Sequence, residues 1–268
     1  MSGINNIMNS KKLEKSRGIG AFAYNVDTID YVAIARNTLE LASKQLGIPY
    51  TLITDRELQN DSDTNRYDID TGEFVKWRNV GRHHAYELSP YYETLVIDVD
   101  YLILDSTLNK IFDIDWDYLL ARNSTALTVE WPTRMGENSL PYVWATVFAF
   151  RKTPRARLFF ELVGRIQRNY AYYCALFNVH ERNFRNDYAF AMADVILNGY
   201  ALDKKSIPGS VLAIDQPIDS IKFENGKVIV KDKNKSYVLP QTNLHVMSKA
   251  YLQSQDCKNF IDRVLNES

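Results

Sequence analysis

The sequence predicts an α/β fold built on a parallel sheet with a small C-terminal β-hairpin, and three observations carry that prediction. Short, almost wholly apolar runs at 19–25, 93–97 and 143–150 have the length and composition of strands buried on both faces. Between the first two predicted strands, Val32, Ala35, Leu39, Ala42 and Leu46 recur at helical spacing, giving a strand–helix–strand unit of the kind that forms parallel sheets. Late in the chain, Asn225-Gly226 sits between two alternating runs and marks a tight hairpin over 221–230.

The chain has 268 residues, 46% hydrophobic and 24% charged, enough to bury a substantial core. Its formal net charge of −1 excludes a whole-chain basic field for nucleic acid, though not a local patch. Two cysteines, Cys174 and Cys257, make neither a disulfide framework nor a metal finger, and a reducing cytoplasm is the expected compartment. Residues 1–18 are polar, lack an apolar signal-like core and read as a flexible leader; residues 19–268 read as a single domain. No apolar run approaches the roughly 20 residues of a membrane helix.

In order, the run 19–25 opens the fold as a strand. Asp27 or Thr28 is placed to cap the helix that follows, with Asp30 in its first turn and Gly47 ending it. Residues 49–55 form the second strand. The polar stretch 56–72 reads as a loop, and 76–88 as a basic helix stopped by Ser89-Pro90. A short helix over 106–112, a strand over 126–130 and a loop over 133–141 follow. After the strand at 143–150, one long helix runs from Pro154 to about Phe177 with Leu158, Leu162, Ile166 and Tyr173 on its buried face. A helix over 186–197, the hairpin, a segment through Leu244-His245-Val246 and a helix from about Asp256 complete the chain.

The run Glu93-Thr-Leu-Val-Ile-Asp98-Val-Asp100 is where chemistry enters. Two carboxylates interrupt a buried strand at its carboxyl end, the place where open α/β sheets bind ligands. An ionised Asp is costly in a dry core unless it is paired or bound to a metal. Asp98 and Asp100 either share one hard divalent cation or are solvated carboxylates of a strand-end turn.

The order of pieces resembles GT-A glycosyltransferases, and within them the glycogenin and galactosyltransferase-like branch, glycosyltransferase family eight. Ala23-Tyr24-Asn25 with Tyr31 resembles the family's nucleoside-binding start. Lys76-Trp-Arg78, Leu88-Ser-Pro-Tyr91 and Asp98-Val-Asp100 resemble its basic helix, spacer and Asp-x-Asp metal motif. Asn186-Asp187-Tyr188 resembles the helix start near the reacting sugar, and Leu244-His245-Val-Met-Ser-Lys249 its late His…Lys element. Two departures stand out: Lys249 comes early after the histidine, and Trp144-Ala-Thr146 replaces the family's Asn-x-Gly.

The resemblance implies a GT-A (Rossmann-like) fold with a mixed, mainly parallel sheet flanked by helices. It also implies an enzyme that moves a sugar from a nucleotide-sugar donor. Asp98, Asp100 and His245 would hold Mn²⁺ or Mg²⁺ on the donor diphosphate. Tyr24, Asn25, Tyr31, Lys76, Arg78 and Lys249 would bind the nucleotide, and Asp187 and Glu130 would face the reacting sugar. Each has a plainer alternative: a core aromatic for the tyrosines, a solvated face for the basic residues, a hydrogen-bonded strand histidine for His245, a helix cap for Asp187.

The acceptor is open among glycan, protein and modified DNA. Six basic residues between Arg151 and Arg168, interleaved with aromatics, either track a nucleic-acid backbone or form the wet side of an amphipathic helix. Some phage enzymes of GT-A type, which glycosylate modified (hydroxymethylated) bases in DNA, resemble this compact build. A non-catalytic nucleotide- or metal-binding module is the alternative from another class. A metal-dependent nucleotidyltransferase would ordinarily need a Gly-rich phosphate loop that is not found in the sequence.

Overall fold

The computed structural model describes residues 16–54, 64–77, 81–130, 132–137, 139–201 and 205–267. It opens with β1 (Arg17–Phe22), shifted toward the N-terminus relative to the expected run. Most of the expected leader lies outside the described residues. α1 (Tyr31–Leu46) follows, capped by neither Asp27 nor Thr28. Asp30 itself is the cap, its Oδ1 accepting from Ala33 N at 2.9 Å, because a cap carboxylate must sit next to the first orphan N–H groups. Gly47 closes the helix at φ 65°, a left-handed value glycine adopts without steric cost.

β2 (Tyr50–Ile53) pairs parallel to β1. The expected loop at 56–72 contains a strand of an unforeseen hairpin, β3 (Thr64–Asp68) with β4 (Glu73–Trp77). The expected helix over 76–88 is corrected accordingly: Lys76 and Trp77 end β4, Gly81–His84 is a 3₁₀ turn, and only α2 (Ala85–Leu88) is α-helical. β5 (Glu93–Ile97) is buried throughout and pairs parallel to β1. After a two-residue β6 (Tyr101–Leu102), residues Thr107–Asp113 form a 3₁₀ helix.

β7 (Tyr118–Ala121), not foreseen, and β8 (Ser124–Ala126) come next; the strand expected over 126–130 ends at Ala126. The expected loop at 133–141 carries a small ladder of β9 (Arg134–Met135) and β10 (Leu140–Pro141). β11 (Trp144–Arg151) runs antiparallel to both β5 and β7, completing a five-stranded mixed sheet in the order β2-β1-β5-β11-β7.

The single long helix expected after Pro154 is two: α3 (Pro154–Arg168) and α4 (Tyr170–Leu176), with Asn169 between them at φ −126° and ψ 36°. The buried face differs in part: Ile166 is buried and Leu162 and Tyr173 pack against the core as expected. Ala156, Phe159, Phe160, Val163 and Ile166 are buried, whereas Leu158 is 50% exposed. Four aromatic rings weld α3 and α5 (Asn186–Leu197) to β11: Phe148, Phe159, Phe160 and Phe190 lie 5.0–6.3 Å apart, mostly edge to face. Phe160→Ala is therefore expected to cost about 3–5 kcal/mol in urea unfolding. Leu158→Ser should stay within about 0.5 kcal/mol.

The remaining chain gives β12 (Val211–Ile214), the predicted hairpin of β13 (Ser220–Glu224) and β14 (Lys227–Lys231), an added β15 (Ser236–Pro240), and β16 (Leu244–Val246). α6 (Lys249–Gln253), which was not anticipated, precedes α7 (Gln255–Glu267). β6, β16, β12 and β8 form a second, mixed sheet. The Asp98-Val-Asp100 segment is the hinge between the sheets, leaving β5 in the first and entering β6 in the second. Among the described residues, no helix is long and apolar enough to cross a membrane.

Candidate metal centre

The backbone of the Asp98–Asp100 turn is held from four directions. Asp98 N donates to Thr146 O (2.8 Å) on β11, and Asp98 O accepts from Tyr101 N (3.1 Å). Val99 O accepts from Thr38 Oγ1 (2.8 Å) on α1, and Asp100 O accepts from Val246 N (2.9 Å) at the end of β16. Two sheets and a helix thus converge on three residues, which is how a short turn comes to present two carboxylates in fixed positions.

His245 is carried in by the pairing of β16 with β6, which sets it opposite Tyr101. One ligand atom from each of Asp98, Asp100 and His245 lies within 4.8 Å of the others. Asp100 and His245 are each 6% exposed. The Trp144 ring stands edge-on to the imidazole at 4.7 Å, fixing its plane. Two carboxylates and an imidazole are a donor set that suits Mn²⁺ better than Mg²⁺, and their spacing fits one divalent ion.

Two buried cations share the cluster. Arg82, from the 3₁₀ turn, pairs with Asp98 Oδ1 and donates to Ala145 O. Lys249 Nζ lies 2.7 Å from Asp100 Oδ2. Burial alone would push the Asp100 carboxyl up, but His245 and Lys249 together outweigh it and hold it well below the usual carboxylate range. Burial lowers Arg82 to about 10, against the opposing pull of Asp187 and Asp100.

Asp187 stands in the first turn of α5 without capping it. Its Oδ1 accepts from Ala145 N (2.8 Å) and its Oδ2 from Arg185 (3.0 Å). Ala145 is thus the link between two parts of the site, its N–H on Asp187 and its carbonyl under Arg82. It lies where β11 shifts register against β7, between Trp144 and Phe148. A cleft of 400 Å³, lined by Trp144, Tyr142, Asp187, Tyr188, Arg134 and Glu137 among others, opens beside this link.

The other expected residues fall as follows. Tyr24 and Asn25 leave the carboxyl end of β1, whose register with β5 sets Gly20 level with Val96, and Tyr31 opens α1. Tyr24 and Tyr31 are half-buried, while the Asn25 Oδ1 accepts from Val32 N (2.9 Å). Lys76 lies in β4, not on a helix. Arg78 lies outside the described residues. Glu130 is exposed in the segment after β8 and does not line the cleft.

Of the Arg151–Arg168 set, Arg151 binds Glu93 at 2.8 Å, Arg157 pairs with Glu161 and Arg155 donates to Asn198. Arg165 and Arg168 are exposed on α3. Arg82 is expected from the sequence beside Lys76 and Arg78 on one face of the basic helix, with a diphosphate contact for at least one of the three; the structure sets it on Asp98 and the Ala145 carbonyl. A buried Arg next to a glycine in a short turn has no periodicity to announce it.

No protein-family model and no curated protein matches the chain. Among solved structures, an active-site mutant of LgtC is similar over 93% of this chain and 95% of its own, with a TM-score of 0.51 at 13% identity. A glycosyltransferase involved in glycosylation of the major capsid of PBCV-1 covers 75% of this chain and 82% of its own, with a TM-score of 0.37 at 15% identity. The galactosyltransferase LgtC in complex with donor and acceptor sugar analogs covers 57% and 65%, with a TM-score of 0.37 at 16% identity. The likeness that spans nearly the whole of both chains shows a shared architecture: this chain has a GT-A-like mixed α/β fold.

Proposed function

We propose that the protein is a metal-dependent glycosyltransferase that moves a sugar from a nucleotide-sugar donor to an acceptor hydroxyl, with residues 19–268 acting as one catalytic domain. The observation that carries this reading is the Asp98, Asp100 and His245 donor set, buried where two sheets meet and neighboured by Arg82 and Lys249. LgtC, which shares the fold, is described as a galactosyltransferase. When bound, a divalent cation, Mn²⁺ in preference to Mg²⁺, supplies charge to the departing diphosphate.

The chain's own residues do the rest. Arg82 fixes Asp98. Tyr24, Asn25 and Tyr31, at the same sheet end, receive the nucleoside, while Lys249, with Lys76 and Arg78, meets the phosphates. Asp187, held by Ala145 N–H and Arg185, is a fixed negative charge at the cleft beside the reacting sugar. Glu130, exposed in the segment after β8, is a second candidate for the sugar. The cleft next to Asp187 receives the acceptor, whether glycan, protein or hydroxymethylated DNA. Two buried, unpaired thiols, Cys174 and Cys257, support a cytoplasmic setting.

Thermal shift with a panel of nucleoside diphosphates, with and without Mn²⁺, tests the reading. One nucleotide should raise Tm only with the metal; at 100 times its Kd the gain is about 2.7 kcal/mol. Absence of any metal-dependent nucleotide effect would sink it. Slow hydrolysis of a sugar nucleotide separates an enzyme from a binding module, since a module would bind without turnover. A sugar's mass added to hydroxymethylated but not plain DNA would identify DNA as acceptor.

A further inference from the structure

We propose that Lys249 is an exchangeable counter-ion, seated on Asp100 until a divalent cation arrives and then released toward the donor's diphosphate. The proposal rests on the reading of Asp98, Asp100 and His245 as the cation site of a nucleotide-sugar enzyme.

All four carboxylate oxygens of the Asp pair are engaged by protein groups. Asp98 Oδ1 has Arg82 and its Oδ2 accepts from Thr146 Oγ1 at 3.0 Å. Asp100 Oδ1 accepts from His245 Nε2 at 3.1 Å, and its Oδ2 is 2.7 Å from Lys249 Nζ. The two carboxylates are thus each met by one cation, Arg82 on Asp98 and Lys249 on Asp100. A divalent cation added to those pairs leaves positive charge uncompensated at low dielectric, which is costly. Either a resident cation leaves Asp100 and Asp98, or an anion enters with the metal.

The geometry decides which resident can leave. Arg82 is 7% exposed and its rigid fork also serves the Ala145 carbonyl, so moving it would orphan a second group. Thr146 is neutral, and His245 belongs to the donor set. Lys249 reaches Asp100 with one ammonium on a flexible stem, and the same ammonium donates to the carbonyls of Met247 at 2.9 Å and Val246 at 3.5 Å.

The backbone on either side of Lys249 is pinned. Val246 N donates to Asp100 O and Met247 N to Ile214 O. Asp70, in the turn of the β3–β4 hairpin, accepts from Ser248 Oγ at 2.6 Å and Ala250 N at 2.9 Å. Exchange at Asp100 is therefore a movement of the Lys249 side chain, with its attachment held in place. A diphosphate arriving with the metal would receive the displaced ammonium, so metal and nucleotide each tighten the other.

The test is Mn²⁺ binding without nucleotide, read from the free-ion EPR signal, in the unaltered chain and in Lys249→Met. If the lysine leaves Asp100 open only about a tenth of the time, its removal tightens Mn²⁺ about tenfold. Equal or weaker binding by the variant overturns the exchange and leaves the cation site standing. No Mn²⁺ bound by either protein, even with the nucleotide panel, overturns both the exchange and the proposed function.

Lys249→Met also takes a donor from a buried carboxylate, so a second measurement uses the unaltered chain. Acetylation of Lys249 by an amine-reactive ester, followed by mass spectrometry, should rise several-fold when Mn²⁺ is added. A yield at Lys249 that Mn²⁺ does not change overturns the proposal regardless of how the variant folds.

Discussion

Asp100→Ala is expected to abolish Mn²⁺-dependent nucleotide stabilisation and to lower sugar-nucleotide hydrolysis by at least about 100-fold, since loss of mere supporting residues around a metal costs 10–100-fold. The same substitution is expected to destabilise the chain before any metal is added. Lys249 is 3% exposed. Without Asp100 its ammonium loses its carboxylate partner while still donating to the Met247 and Val246 carbonyls. Breaking a buried pair by removing one partner typically costs about 3–5 kcal/mol.

The double variant Asp100→Ala/Lys249→Met should recover part of that loss, because the stranded charge goes with its partner. Urea unfolding of the four proteins decides the matter: additive losses would mean that the pair is not coupled. The pH dependence has a definite sign. The native Asp100 carboxyl lies below its unfolded value, so its contribution is complete above about pH 4 and is lost as pH falls through the native value. Between pH 5 and 7, therefore, the stability gap between the unaltered chain and Asp100→Ala should show no step from this carboxyl.

How much of this was legible in the sequence depended on whether a feature was local. The Asp pair was readable because two carboxylates violate the pattern of a buried strand within three residues. α5 and the 225–226 turn were readable for the same reason, each carrying its own start or stop. The 76–88 segment misled because its basic residues suggested a helical face, while its fate depends on β3, across a turn at Gly72 with φ 74°.

The buried face of α3 was legible only in part: Ile166 is buried and Leu162 packs against the core as expected, but Leu158 and the pair Phe159 and Phe160 were rivals for the rest of it. Only the aromatic partners on β11 and α5 choose between them. Gly164 held an unread clue. A glycine inside a helix costs about 1 kcal/mol relative to alanine, and here a Cβ would lie 3.0 Å from the His83 ring, so α3 packs closely on the 3₁₀ turn that carries Arg82. Of the site's cationic half, Lys249 was legible through the resemblance, but its seat on Asp100 and the place of Arg82 were not, because that turn and the start of α6 have no period of their own.

Arg82→Met should be the most destabilising single change in the cationic half of the site. It removes the partner of Asp98, whose side chain is 19% exposed, and the donor to Ala145 O, which lies in the strand that also holds Asp187. A stranded carboxylate and an orphaned carbonyl together are expected to cost about 3 kcal/mol or more, lowering Tm by roughly 6–12 °C in a chain of this size. Arg82→Lys should rescue little, because one ammonium cannot reproduce a planar fork that spans a carboxylate and a carbonyl. The informative arm adds Mn²⁺ to the variant. With Arg82 gone, the divalent ion becomes the missing counter-charge for Asp98, so Mn²⁺ should raise the Tm of Arg82→Met more than that of the unaltered chain. An equal or smaller rise would mean that Asp98 belongs to Arg82 alone, and that the carboxylate pair divides its labour, Asp98 holding the scaffold and Asp100 the ion.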